Sequence, residues 1–131
     1  MAELLRFGAG ALQAMIARRD ISPVDLMRET LGRIDAVNGP LNAIVALRDR
    51  ETLMGEARLA EAMPPEGWLH GIPVAVKDLV GVRGLRSTWG SPILKDHVPS
   101  LDDGLARRLR AAGAIIIGKT NVPAFGLGSH T

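Results

Sequence analysis

Residues 114–118 read Ala-Ile-Ile-Ile-Gly, and residues 72–77 read Ile-Pro-Val-Ala-Val-Lys. Successive side chains of a strand point to opposite faces, so runs that are apolar at consecutive positions need cover on both sides. That requirement suits interior strands of a sheet packed between helices, and it argues against a sheet with one wet face. The segment between the two runs carries a helical pattern. Asp102 or Asp103 can cap it, Leu105, Leu109 and Ala112 recur on what should be its inward face, and Gly113 stops it. Residues 81–92 are glycine-spaced and rich in hydroxyls, which predicts a loop with at most short strands.

Upstream the pattern is mainly helical. Residues 10–19 allow a short helix with Leu12, Met15 and Ile16 on one side. Ser22, Pro23 and Asp25 form a stronger start signal: a cap, a first-turn proline and a reciprocal acid. Met27, Leu31 and Ile34 continue that helix, and Gly39-Pro40 should end it. Residues 42–47 are a short strand candidate. Asp49 can cap a third helix with Leu53, Ala57 and Ala60 on one face, and Pro64, Pro65 and Gly67 mark the loop that follows. Helices followed by alternating strands and helices make an α/β pattern.

The 131 residues are enough for one domain with a core. There is no cysteine, which excludes disulfides, thiolate zinc sites and a cysteine nucleophile, and fits a cytoplasmic setting. The formal charge of +2 and an aromatic content of 3% without tyrosine argue against a nucleic-acid platform. The basic pairs Arg18-Arg19 and Arg107-Arg108 read as solvated helix faces. No run approaches the roughly 20 apolar residues of a membrane span, and the N-terminus lacks a signal-peptide core. His70, His97 and His130 have no metal-ligand spacing. No cofactor is expected.

Lys77 stands at the end of the 72–77 strand, next to Asp78. Alternation puts Ala75, Lys77 and Leu79 on one face and Val74, Val76 and Asp78 on the other, so Lys77 and Asp78 should not pair. An ammonium carried into apolar surroundings without a carboxylate loses its proton more easily, and a neutral lysine can act as a general base. Lys-Asp can equally mark the point where a strand leaves the core for solvent. Local pattern leaves both readings open. Residues 113–120, GAIIIGKT, match the bare spacing of a phosphate-binding loop. Their middle residues form a strand and not an open anion nest, so nucleotide binding is rejected. Ser129 beside His130 suggests a serine–histidine pair, but neighbours are not expected to face each other and no acid is placed to orient the histidine.

The wording LHGIPVAVKDLV (69–80), STWGS (87–91) and AAGAIIIGKTNVPAFGLGSHT (111–131) resembles the amidase signature family in both order and spacing. The resemblance implies an α/β fold of layered helices around a mixed sheet, of which this chain would be the incomplete N-terminal portion. Residues 1–67 would be mainly helical, and 68–131 would be a strand–loop–helix–strand unit. It also implies hydrolysis of carboxamide C–N bonds by a Ser–cis-Ser–Lys relay, in which Lys77 takes the lysine's place and is buried so as to stay neutral. The two serines of that relay belong to a Gly-Gly-Ser-Ser-Gly-Gly type loop and beyond, which these residues do not contain, so the chain alone is expected to be inactive. Ser87, Thr88 and Ser91 are expected to make turn hydrogen bonds. Ala124 stands where many such amidases have a glutamate, which leaves a local support absent.

The final segment looks more like a general bacterial amidase than the component that amidates misacylated tRNA. Two alternatives remain: one component of a glutamyl/aspartyl-tRNA amidotransferase, or a non-catalytic truncated interaction module. The expected partners are a small-molecule amide substrate and other copies of the chain, through exposed apolar surface. Neither nucleic acid nor membrane is expected.

Overall fold

The computed structural model describes residues 3–131. A 3-10 turn (Leu4–Arg6) leads into α1 (Ala9–Ala17), α2 (Pro23–Leu41), β1 (Ile44–Leu47), α3 (Arg50–Ala62), β2 (Pro73–Lys77), α4 (Gly104–Ala111) and β3 (Ile115–Thr120). Further 3-10 turns occupy Pro92–Leu94 and Ala124–Gly126. The three strands form one mixed sheet in the order β1-β3-β2, with β3 antiparallel to β1 and parallel to β2. No helix among the described residues is long and apolar enough to cross a membrane.

Both faces of β3 are covered, as its apolar run requires. Ile115 and Ile117 pack with Met27 and Leu31 of α2 and Leu53 and Ala57 of α3. Ile116 faces the other way, onto Val76, Val82, Leu85 and Ala106 of α4. A third cluster gathers Leu12, Ile16, Leu26, Leu69, Ile72 and Ala114 where the two parallel strands begin. The expected three-layer arrangement is therefore present. β2, however, is an edge strand among the described residues and not an interior one, because it pairs with β3 alone.

The α2 start follows its sequence signal. Ser22 Oγ accepts from Asp25 N at 3.0 Å, and the Asp25 carboxylate accepts from Ser22 N at 3.4 Å. Asp49 caps α3 by accepting from Thr52 N at 2.8 Å. Three local expectations need correction. First, α2 runs through Gly39-Pro40 to Leu41 and closes on Asn42 in the left-handed region. Pro40 lies in the last, exposed turn, where the backbone bond it cannot donate leaves only a carbonyl that water can satisfy. Second, α4 turns Ala106 inward beside the expected Leu109 and Ala112, and leaves Leu105 53% exposed. Third, Asp103 occupies the α4 N-cap position without capping. Its carboxylate instead accepts from Gly81 N at 2.6 Å, while Asp102 accepts from Arg83 N at 2.8 Å and pairs with Arg110 at 3.0 Å. These two acids tie the 81–83 loop to the start of α4.

Candidate active site

The site is built where β2 and β3 end side by side. Val76 pairs with Lys119 and Lys77 with Thr120. Past the strand, Asp78 N donates to Thr120 O at 3.1 Å, and Val80 N donates to Lys77 O at 2.9 Å, which closes a turn over residues 77–80. The alternation expected for this stretch holds: Lys77 is exposed and Asp78 is 1% exposed.

The buried lysine is Lys119, not Lys77. Lys119 is 0% exposed, and its ammonium donates to Val80 O and to Ser87 Oγ. Its third direction faces Asp78, with Nζ–Oδ1 at 3.7 Å. Asp78 in turn accepts from Thr88 N at 3.1 Å and from Thr88 Oγ1 at 2.6 Å. Ser87, also wholly buried, donates to Leu85 O at 3.2 Å. Burial pushes the Lys119 pKa below its ordinary 10.5, against the opposing pull of Asp78 and, more weakly, Asp103. Lys77 has none of these contacts: its side chain takes part in no ion pair among the described residues. The burial expected for Lys77 is not supplied by these residues: it is the last residue of a strand that is an edge among the described residues, and its side chain is exposed although Ala75 on the same face packs against the α2–α3 cluster.

A bulge in β3 explains why Lys119 turns inward here. Val74 pairs with Ile116 but Ala75 pairs with Gly118, so Ile117 is an extra residue on β3. Simple alternation would place Lys119 with Ile115 and Ile117, on the α2–α3 side. The extra residue reverses the phase and places it beside Val76, on the face of Asp78 and Ser87. Re-aiming a side chain is a common consequence of a bulge.

Loops following the two strands make the rim. Phe125 N donates to Trp89 O at 2.7 Å, and the two rings meet edge to face with centroids 6.5 Å apart. Between them Gly90 has φ +66°, and a Cβ there would lie 2.4 Å from Val122 O, so only glycine fits without a shift. Ala124 lies exposed in the adjoining turn. Contrary to expectation, the neighbours Ser129 and His130 do face each other: Oγ and Nδ1 are 3.0 Å apart, at a bend with Gly128 at φ +125°. Both are exposed, and no carboxylate is hydrogen-bonded to the histidine among the described residues.

A family model described as Amidase matches residues 25–131. The chain belongs to the Amidase family. A glutamyl-tRNA(Gln) amidotransferase subunit from Salinispora tropica is 40% identical over 135 residues, which takes in all of this chain and 27% of that protein. The subunit of the same name from Thermus thermophilus is 40% identical over 123 residues, 94% of this chain and 25% of its own length. Among solved structures, the peptide amidase of Stenotrophomonas maltophilia superposes with a TM-score of 0.81 at 32% identity, over 89% of this chain and 25% of that one. The chain thus spans about a quarter of the length of the relatives it matches.

Sequence reasoning places Lys77 at a strand end and keeps it apart from Asp78, and both hold. It misses the Lys119–Asp78–Thr88–Ser87 cluster. The available signal is a lysine directly after four apolar residues and a glycine, but without the bulge its partners cannot be read.

Proposed function

We propose that this chain supplies the lysine of an enzyme that hydrolyses carboxamide C–N bonds, with Lys77 as the base of a Ser–cis-Ser–Lys relay. One observation carries the reading: in a chain of the Amidase family, the Lys77 amine projects free of any carboxylate among the described residues, while the adjacent Asp78 is engaged by Lys119. An amine with no anionic partner can be held neutral once the rest of the enzyme covers it, and a neutral amine can take a proton. In the relay, the nucleophilic serine bonds to the amide carbon as its proton passes to the second serine, whose own proton passes to Lys77. The C–N bond then breaks, and the proton returns along the same path to the leaving amine. Water cleaves the acyl ester by the same relay. The substrate is a small amide, and the 131 residues alone have no turnover, since they contain no candidate for the serine loop.

The test uses the full-length enzyme that carries this segment. Lys77→Ala is expected to lower kcat by about 10²–10⁴-fold, or by more if the relay acts as one unit. Lys77→Arg is not expected to restore it, because a guanidinium stays protonated. A folded Lys77→Ala enzyme with near-normal turnover would return Lys77 to the role of a solvated strand-end lysine.

A second reading, one component of a tRNA amidotransferase, is favoured by the names of the curated relatives, which are 36% to 41% identical. Hydrolysis of simple amides by the full-length chain alone supports the first reading. Activity only with added partner proteins and glutamyl-tRNA supports the second.

A further inference from the structure

We infer that Lys119, acting with Asp78 on the 77–80 turn, is the positioning residue for the Lys77 amine. The inference rests on the amidase reading of Lys77 given above. A wholly buried ion pair is poor evidence for stability, because desolvation of two charges offsets their attraction and apolar replacements often fold as well. What the pair does is better read from where its bonds land. Lys119 Nζ donates to Val80 O, and Val80 N donates to Lys77 O, so the ammonium braces the turn that follows Lys77. Asp78, the next residue, is gripped by Thr88 through both its N–H and its hydroxyl, and faces Lys119 at 3.7 Å. The backbone on the carboxyl side of Lys77 is therefore held at residue 78 and at residue 80. On its other side it is held by the β2–β3 pairing.

That bracing matters for a base on a long flexible side chain. A general base works only within hydrogen-bond reach of the proton it takes, and a misplacement of about 1 Å can cost on the order of 10²-fold in rate. Tight packing of the same turn by apolar groups would fill space but would not fix two backbone points by directed bonds. The bulge at Ile117 is what brings the ammonium to this position.

The test is made in the full-length enzyme. The double variant Asp78→Asn/Lys119→Met removes both charges and leaves neither buried and unpaired. It is expected to melt cooperatively and to lose roughly tenfold or more in kcat with KM within about twofold of wild type. Thr88→Val keeps the ion pair and removes one grip on Asp78. It is expected to lower kcat severalfold at unchanged KM, with Thr88→Ser restoring it. A folded double variant with wild-type kcat overturns the inference. If the double variant does not fold, Thr88→Val decides: wild-type kcat overturns the inference, and a loss rescued by Thr88→Ser supports it. Lys77→Ala is measured alongside. Wild-type turnover there overturns the amidase reading and this inference together. An inactive Lys77→Ala enzyme with fully active positioning variants overturns this inference alone.

Discussion

Asp25 holds its carboxylate against the Ser22 hydroxyl at 2.9 Å and against Arg28 at 3.0 Å. The Ser22 hydroxyl bond is the main cause of a pKa below the ordinary 3.8, and with the Ser22 N–H and Arg28 it outweighs the rise from burial. Asp49 is lowered mainly by the Thr52 backbone N–H and hydroxyl. At Asp102, burial pushes upward, but the Arg83 N–H and the Arg110 guanidinium outweigh it. The sign follows from proton binding: below pH 3.8 the unfolded chain takes up protons that these folded carboxylates still refuse. Their stabilisation is present in full above 3.8 and is lost as pH falls through the depressed folded values. Asp25→Asn is therefore expected to flatten the fall in melting temperature below pH 3.8, as read by thermal scans across that range. Ser22→Ala removes the cap itself and is expected to cost about 1 kcal/mol at neutral pH, measured by denaturant unfolding.

Among the elements, β3 carries the most constraint. It is the central strand, it is buried from Ile115 to Lys119, and it contains the bulge that turns Lys119 toward Asp78. Gly118 lies just beyond that bulge, opposite β1. A Cβ there would sit 2.4 Å from the Ala46 carbonyl oxygen and 3.1 Å from Leu47 Cα, both backbone atoms that cannot swing away. Gly118→Ala is expected to push β1 off the sheet at a cost of about 1–3 kcal/mol, the range for overpacked sites. Hydrogen exchange should localise the damage. The amide of Arg48, which donates to Ile117 O at 2.9 Å, should lose protection before the α2 and α3 amides do. Retained Arg48 protection at unchanged stability would show that β1 tolerates the methyl group.

For the molecule as a whole, the exposed apolar side chains are the feature that needs an outlet. Ile93 is 83% exposed, Leu127 79%, Leu101 75% and Trp68 71%. β2 adds a strand edge that pairs with nothing among the described residues, and such an edge is a template for another chain. The 131-residue polypeptide on its own is expected to self-associate and to bind an apolar dye, measured by light scattering and dye fluorescence. A monomer that scatters like one at high concentration and binds no dye would show that these residues are individually harmless. In the full-length enzyme the same surface is expected to be protected, which a dye comparison of the two polypeptides would read directly.

Much of this was legible because it depends on local pattern. The Ser22–Pro23–Asp25 start of α2, the Asp49 cap of α3, and the two apolar strands flanking a helix each rest on residues within one turn or one strand of each other. Propensity and periodicity act over that range. The family wording around Lys77 was legible for the same reason, as a contiguous run. What only the tertiary structure decided is which lysine goes inside. By sequence, Lys77 ends a buried strand and Lys119 belongs with Ile115 and Ile117. In the fold, β2 is an edge strand among the described residues and its last side chain is exposed, and one extra residue in β3 reverses the phase of that strand. A bulge is set by how two strands far apart in the chain align, through their hydrogen bonds and the helices packed on each face. No local periodicity encodes that alignment, so the partners of Lys119 become visible only when the strands lie side by side.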